Sequence, residues 1–301
     1  NELRKDIFQQ NNMFPNYLGT ANSKIYGNYG EVKNYGFEMA LDYGKQVNKD
    51  LSIQFKGTFS FERNEIRKSA QGFSPEYPNL SIIGHSLGMY QGYVYAGHLF
   101  ENEDEIANLP NQMISGNVAP GDIIYVDQPN VNGETDNIIN DNDKVYMGFP
   151  QTPEIIYGFG PSVKWKNFDF SLFFQGAANT SLMMSGFHPF GKYDNRSVLR
   201  FVAEDYYSQE NPNIYAADPR LTKLDHSNNT VDSTYWLRNA AFLKLKNMDI
   251  GYSWKLMRVY SSGSNLLTFS QFTHWDQEMG GGNGLQYPTL RVFTVGIQYE
   301  L

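Results

Sequence analysis

The stretch Leu51-Ser52-Ile53-Gln54-Phe55-Lys56-Gly57-Thr58-Phe59-Ser60-Phe61 alternates without a slip. Leu51, Ile53, Phe55, Phe59 and Phe61 fall on one side, with Gly57 among them; Ser52, Gln54, Lys56, Thr58 and Ser60 fall on the other. Only an extended chain puts residues i and i+2 on one side, so this is a strand with one apolar and one polar face. Just before it, Phe37, Met39, Leu41 and Tyr43 alternate with Glu38, Ala40 and Asp42, and residues 45–50 form a short polar turn. The two runs make a β-hairpin.

The pattern recurs downstream. Ile155, Tyr157, Phe159, Pro161, Val163 and Trp165 oppose Gly158, Gly160, Ser162 and Lys164. After the tight turn Lys166-Asn167, Phe168, Phe170, Leu172 and Phe174 oppose Asp169, Ser171, Phe173 and Gln175. Pro161 cannot donate to a ladder, so a bulge or local break is expected there. Met248, Ile250, Tyr252 and Trp254 alternate with Asn247, Asp249, Gly251 and Ser253; residues 258–269 return with weaker patterning after a very short joint at Lys255-Leu256-Met257. Phe293, Val295, Ile297, Tyr299 and Leu301 share one face of a last strand. About seven strands result, plus the tail of an earlier one in residues 1–8.

Alternation alone leaves a soluble β-sandwich and a membrane barrel both open. The connections separate them. One set is tiny, near Asn48, at Lys166-Asn167 and at Lys255-Leu256-Met257; the other is large, spanning about 69–152, 185–235 and 272–288. Long loops without structure are uncommon in compact soluble domains. Short periplasmic turns alternating with long extracellular loops are the outer-membrane pattern, and aromatics near strand ends (Tyr43, Phe61, Trp165, Phe168, Trp254) sit where interfacial girdles lie. The reading is an all-β, antiparallel transmembrane β-barrel with long extracellular loops. A sheet with open edges cannot stand in lipid, so its outer strands are expected to pair with strands outside these 301 residues.

Composition agrees. The sequence has no run of the roughly 20 apolar residues a membrane helix needs, and its mean hydropathy is −0.51; alternating barrel strands keep such an average low. There is no Cys, which excludes disulfides, thiolate metal sites and a Cys nucleophile. A net charge of −8 with scattered basic residues argues against nucleic acid. The chain opens Asn1-Glu2-Leu3-Arg4 with no signal-peptide pattern, so a mature form or an internal start is expected.

Several blocks, in order, resemble the C-terminal half of SusC-like TonB-dependent transporters. They are residues 32–38 (VKNYGFE), 59–66 (FSFERNEI) and 120–127 (PGDIIYVD); Met147-Gly148 with Pro150, Pro153 and 157–159 (YGF); then 168–176 (FDFSLFFQG), 235–239 (YWLRN), 242–252 (FLKLKNMDIGY), 258–260 (RVY) with 264–266 (SNL), and 286–288 (QYP). The resemblance implies a full protein with an N-terminal plug, a TonB box and about 22 strands, of which 1–301 would be the C-terminal portion. It implies import of glycans or oligopeptides with a SusD-like surface lipoprotein as lid, energised through TonB, in a bacterial outer membrane. The alternative is a SusC-like barrel serving as scaffold in a larger envelope complex. The family usually has a longer segment around Lys255-Leu256-Met257 and often ends in Phe, where this chain has Leu301.

No catalytic residue is expected. Gly84-His85-Ser86-Leu87-Gly88 matches the nucleophile-elbow spacing, but no strand-to-helix context surrounds it. Asp127, Asn130, Asn132, Asp136 and Asp143 form an oxygen-rich ladder, a candidate Ca²⁺ loop whose bland reading is a polar turn. His85, His98, His188, His226 and His274 are scattered and are expected on surface loops; Glu101, Glu103, Asp104 and Glu105 are expected to start a short solvated helix. Tyr235, Trp236 and Trp275 are expected exposed on loops or strand tops, as interfacial anchors or sugar-stacking rings. Strand phase places Glu38, Asp42, Gln54, Lys56, Asp169 and Gln175 on the lumen face.

Overall fold

The computed structural model describes residues 2–11, 25–70, 75–114, 117–187, 197–222 and 226–299. Leu301 and His188 lie outside these. Eight strands form one antiparallel sheet: β1 (Glu2–Asn11), β2 (Ile25–Gln46), β3 (Leu51–Lys68), β4 (Ile155–Trp165), β5 (Phe168–Ala178), β6 (Phe242–Trp254), β7 (Met257–Ser270) and β8 (Val292–Tyr299). Each pairs only with its sequence neighbours, so the order in space is the order in the chain, and among the described residues β1 and β8 are the outermost strands. A barrel wall built from consecutive hairpins has this topology.

The sheet has one apolar and one polar face. Register places Phe55, Tyr43 and Pro161 in one row, and Ile53, Val163, Phe170 and Ile250 in another. Of these, Tyr43, Ile53 and Ile250 are exposed and Phe55, Pro161, Val163 and Phe170 half-buried, and elsewhere on the same face Met39 is 60% exposed, Phe293 72% and Val295 78%. An apolar surface of this extent on a folded chain marks contact with another apolar phase. A spanning strand needs about 9–11 residues, so β2, with 22, and β3, with 18, continue well beyond a bilayer.

Three details refine the sequence reading. At Pro161 the ladder is locally broken without a bulge: Gly160 and Pro161 have no partners on β5, but the register is the same on either side and continuous on β3. Lys255-Leu256 forms a two-residue connection, with Trp254 paired to Met257; Lys166-Asn167 does the same between Trp165 and Phe168. The weak pattern at 258–269 hides a regular strand of 14 residues, disturbed because Lys246 on β6 is a bulge and Asn265 and Leu266 oppose it. Asn265 takes a positive φ of 55° there.

The long connections differ most from expectation. Their described residues are folded, not structureless. Tyr90–Gly92 pairs with Val145–Met147, Tyr95–Leu99 with Ile123–Tyr125, and Ser181–Met183 with Leu237–Asn239. Between them lies a hydrophobic core that includes Leu99, Ile123, Tyr125, Leu182, Phe187, Val202, Tyr235 and Trp236. Each such side chain contributes about 1.5–3 kcal/mol on burial. The expected helix at Glu103–Asn108 is present, with Asn102 Oδ1 accepting from the Glu105 N–H at 2.9 Å.

Candidate functional site at the polar face and loop mouth

Two groups of polar side chains occupy the polar face. On β2 and β3, Asp42 Oδ1 accepts from Gln54 Nε2 at 3.0 Å, and Asp42 lies 3.6 Å from Lys56 Nζ. Across β5 to β7, Arg258 Nε and Nη2 donate to Asp169 Oδ1 and Oδ2 at 3.1 and 2.5 Å, while Nη2 also binds Asp249. Asp169 faces Gly251 on β6, and Gly251 faces Tyr260 on β7, so Arg258 reaches diagonally across a strand. A Cβ at Gly251 would stand 2.5 Å from the guanidinium, so the glycine opens this path. The sequence placed Asp42, Gln54, Lys56, Asp169 and Gln175 on this face; it missed Arg258. The signal was there in the diagonal spacing of Arg258, Gly251 and Asp169, but only register reveals a diagonal. Glu38, opposite Ser60, shares the face without joining either cluster.

Toward the loops, Gln175 is paired with Lys244 on β6. Lys244 is almost fully buried, because the segment after β7 folds back over it. This strap carries Asp276 and Glu278 around the short helical turn Gln277–Met279. Lys244 Nζ binds Asp276 and donates to Glu278 Oε2 at 2.6 Å; Lys246, supplied by the bulge, donates to Glu278 Oε1 at 2.7 Å. Burial works against ionising Asp276 and Glu278, but hydrogen bonds from Lys244 outweigh it and hold both carboxyls below their ordinary values. The Gly282 N–H donates to the Met183 carbonyl at 2.7 Å and sews the strap to the loop core. Between strap, β5 and loop core lies a cavity of about 340 Å³, lined in part by Gln151, Gln175, Thr180, Ser181, Gln277 and Glu278. Pro153, Ile156, Leu182 and Phe242 supply the apolar remainder of the wall, so the cavity offers apolar surface with a few polar groups.

The loop core is organised around Asp122. Gly121 takes φ 89°, and a Cβ there would meet the Tyr207 ring at 2.1 Å, so this glycine is required twice over. Asp122, fully buried, accepts from Arg220 Nη2 at 2.9 Å, Asn229 Nδ2 at 2.8 Å and the Ala119 N–H at 2.8 Å, and meets His226 Nε2 at 2.8 Å. Burial penalises its charge, yet the hydrogen bonds from His226 and Arg220 keep the carboxyl below the usual range. His226 is therefore buried, contrary to the surface location expected for the histidines. His98 meets Glu105 at 2.7 Å, and His85 stacks on Tyr146 at 4.6 Å. Tyr235 and Trp236 are likewise buried and not exposed: Trp236 Nε1 donates to the Asn229 carbonyl and Tyr235 Oη to the Ala216 carbonyl, both at 2.9 Å. Trp275 packs edge-on to Phe272 at 4.7 Å, in the strap. The sequence failed here because a core made of loops has no periodicity.

The oxygen ladder closes on its own backbone. Asp127 Oδ2 accepts from the Asn137 N–H and Asp143 from the Gln128 and Asn140 N–H groups, all at 2.7 Å. Asn130 Oδ1 accepts from Asn132 and Glu134, and Asp136 Oδ1 from Ile138. Burial, with Asp143 and Asp136 nearby, pushes the Asp127 carboxyl up, against the Asn137 N–H. Among the described residues no three carboxylate or imidazole groups come together as a metal cage. Ser86 Oγ donates to the Asn64 carbonyl at 2.6 Å, and the Leu87 N–H to Asn64 Oδ1 at 2.6 Å, so this segment fastens a loop to the top of β3.

No protein-family model matches the chain. Among curated proteins it is similar to the TonB-dependent receptor P3 of Formosa agariphila, 26% identical over 95% of this chain and 30% of the relative. It is also similar to the TonB-dependent receptor SusC of Bacteroides thetaiotaomicron, 24% identical over 93% of this chain and 27% of the relative. The chain thus spans about three-tenths of the length of the curated relatives it matches. Among solved structures, the RagAB peptide importer in its open-open state aligns with a TM-score of 0.69 at 21% identity, covering 99% of this chain and 32% of that one. A second RagAB peptide transporter structure aligns at 0.66 and 22% over the same shares. In sequence and in fold alike, the chain is similar over nearly all its length to one part of the SusC-like TonB-dependent receptors, and its antiparallel sheet has the fold of the matching part of the RagAB structures.

Proposed function

We propose that the chain forms the C-terminal part of the wall and mouth of a SusC-like transporter. That transporter imports glycans or oligopeptides across the outer membrane with a SusD-like lipoprotein as lid and TonB as energy source. The observation that carries this reading is the two-ended sheet: an exposed apolar face, bare two-residue turns at one end, and at the other a folded cap on the polar face. The edges at β1 and β8 would pair with further strands of the same barrel, because unpaired backbone is excluded from lipid. The polar face, with Asp42, Gln54, Lys56, Asp169 and Arg258, would line the lumen, and the largely apolar cavity beneath the strap, with a few polar groups, would meet ligand at the mouth. The RagAB structures are described as a peptide transporter and importer, and SusC and the Formosa agariphila relative as TonB-dependent receptors, which supports the reading.

The test is uptake. The gene is deleted in its host, and labelled oligosaccharides and oligopeptides are offered to intact cells. Loss of uptake for one class, reproduced by deleting TonB or adding a protonophore, and a lipoprotein co-purifying with the receptor, are the expected results. Unchanged uptake of both classes with an intact envelope phenotype would overturn the reading.

A further inference from the structure

At the end of the sheet away from the loop cap, three turns stand side by side, joining β2 to β3, β4 to β5 and β6 to β7. They are tied to one another: the Lys166 N–H donates to the Asp50 carbonyl at 2.6 Å, and the Ser253 N–H to the Asn167 carbonyl at 2.8 Å. Successive turns are two strands apart, about 10 Å. Each presents lysine beside an exposed apolar side chain. Lys45 and Lys49 flank Val47. Lys166 Nζ lies 5.8 Å from the Trp165 ring centre and Lys255 Nζ 5.4 Å from that of Trp254, with Leu256 exposed alongside.

Three features set these lysines apart. Across the three turns, Lys45, Lys49, Lys166 and Lys255 face one acidic residue, Asp50, in a chain whose net charge is −8. Among the described residues, none of the four is within ion-pairing distance of a carboxylate, which is true also of Lys5, Lys33 and Lys164, whereas Lys56, Lys68, Lys144, Lys244 and Lys246 all are. Lys166 and Lys255 also occupy left-handed backbone, at φ 53° and 56°. Glycine and asparagine suit that conformation better, so the turn itself does not select lysine, and it appears there twice.

We propose that these three turns form a basic rim that binds the phosphodiester headgroups of anionic glycerophospholipids in the periplasmic leaflet. The rim continues the membrane-facing apolar stripe: Trp165 and Trp254 end that stripe at the depth where amphipathic rings settle, and lysine beside them keeps its stem in the interface and its ammonium among the headgroups. Each lysine near an anionic surface contributes about fivefold to attraction at physiological ionic strength. The rim lies outside the transport path and holds whether the barrel imports or serves as a scaffold.

The test uses the full-length receptor in nanodiscs of equal parts phosphatidylglycerol and phosphatidylcholine, followed by release and native mass spectrometry to count retained lipids. The wild type is expected to keep phosphatidylglycerol in preference. The fourfold variant Lys45→Gln, Lys49→Gln, Lys166→Gln, Lys255→Gln is expected to keep both lipids equally, while heat-modifiable migration shows it folded. Where the fourfold variant does not fold, Lys166→Gln with Lys255→Gln is read in the same way. Undiminished preference in the folded variant overturns the proposal. So does an equal loss in a control with Lys33, Lys56, Lys68 and Lys144 changed to Gln, since net charge alone would then be responsible.

Discussion

Arg258 on β7 reaches over Gly251 on β6 and holds Asp169 on β5 through two parallel hydrogen bonds of 3.1 and 2.5 Å. Three strands of the wall are thereby tied on their polar face, with Asp249 as a second carboxylate on the same guanidinium. Arg258→Met is expected to cost about 1–3 kcal/mol, because charge-assisted hydrogen bonds are lost and two carboxylates are left facing each other. Arg258→Lys should recover little, since an ammonium cannot reproduce the fork. Urea unfolding of the refolded protein in detergent reads both, and an undiminished midpoint in Arg258→Met would remove the bridge from the account.

Gly251→Val tests the same path from the other side. Its side chain would occupy the space the guanidinium now crosses. Stability is expected to fall about as far as in Arg258→Met, and the double variant should fall little further, because both changes remove one interaction. Full additivity in the double-mutant cycle would show that Gly251 matters for another reason.

The strap over the mouth should be sensitive to acid. Asp276 and Glu278 are held below their ordinary values by Lys244, with Lys246 adding to Glu278. A depressed carboxyl contributes stability that is present above the unfolded value, near 4, and is lost as pH falls through the folded value. The segment 271–291 is therefore expected to be protected from hydrogen exchange at pH 7 and to open below about pH 4. Lys244→Met leaves the partly exposed carboxylates of Asp276 and Glu278 without their shared cation and should loosen the strap even at pH 7, at a cost of about 1–3 kcal/mol. Equal protection of the segment in that variant would refute the clamp.

The loop core should melt on its own. Trp236→Ala removes a side chain that is 1% exposed at the centre of the cap and is expected to cost about 3–5 kcal/mol there. Amides of residues 93–147 should exchange faster while those of β3 to β5 keep their protection. A uniform loss across the sheet would mean that cap and wall fold as one unit.

Asp127 separates calcium from a self-closed turn. Its carboxyl is pushed up by burial and by Asp143 and Asp136. A raised carboxyl disfavours the folded loop at neutral pH, and that penalty disappears as pH falls through the folded value. Asp127→Asn retains an acceptor for the Asn137 N–H and removes the repulsion, so protection of 127–143 should hold or increase at pH 7. Reduced protection on adding a chelator, with loss of protection in Asp127→Asn, would instead reveal a cation.

The wall was legible in the sequence because its physics is local. A strand half in lipid and half in water must alternate, so Leu51 to Phe61 and Ile155 to Trp165 announce their faces, and two residues such as Lys166-Asn167 between them announce a turn. The class of the fold, the order of the strands, the two faces and the alternation of short and long connections are therefore readable from the chain alone. What the long connections do is set by the tertiary structure. Trp236 is buried under Asn229, and Asp122 joins Arg220, His226 and Asn229 across about a hundred residues of chain. It also decided that Lys244 lies beneath Asp276 and Glu278 and that Arg258 spans to Asp169. Contacts between residues far apart in the chain leave no period in it, since each depends on register, bulge and the return of a strap, which the chain fixes only when the whole sheet has formed.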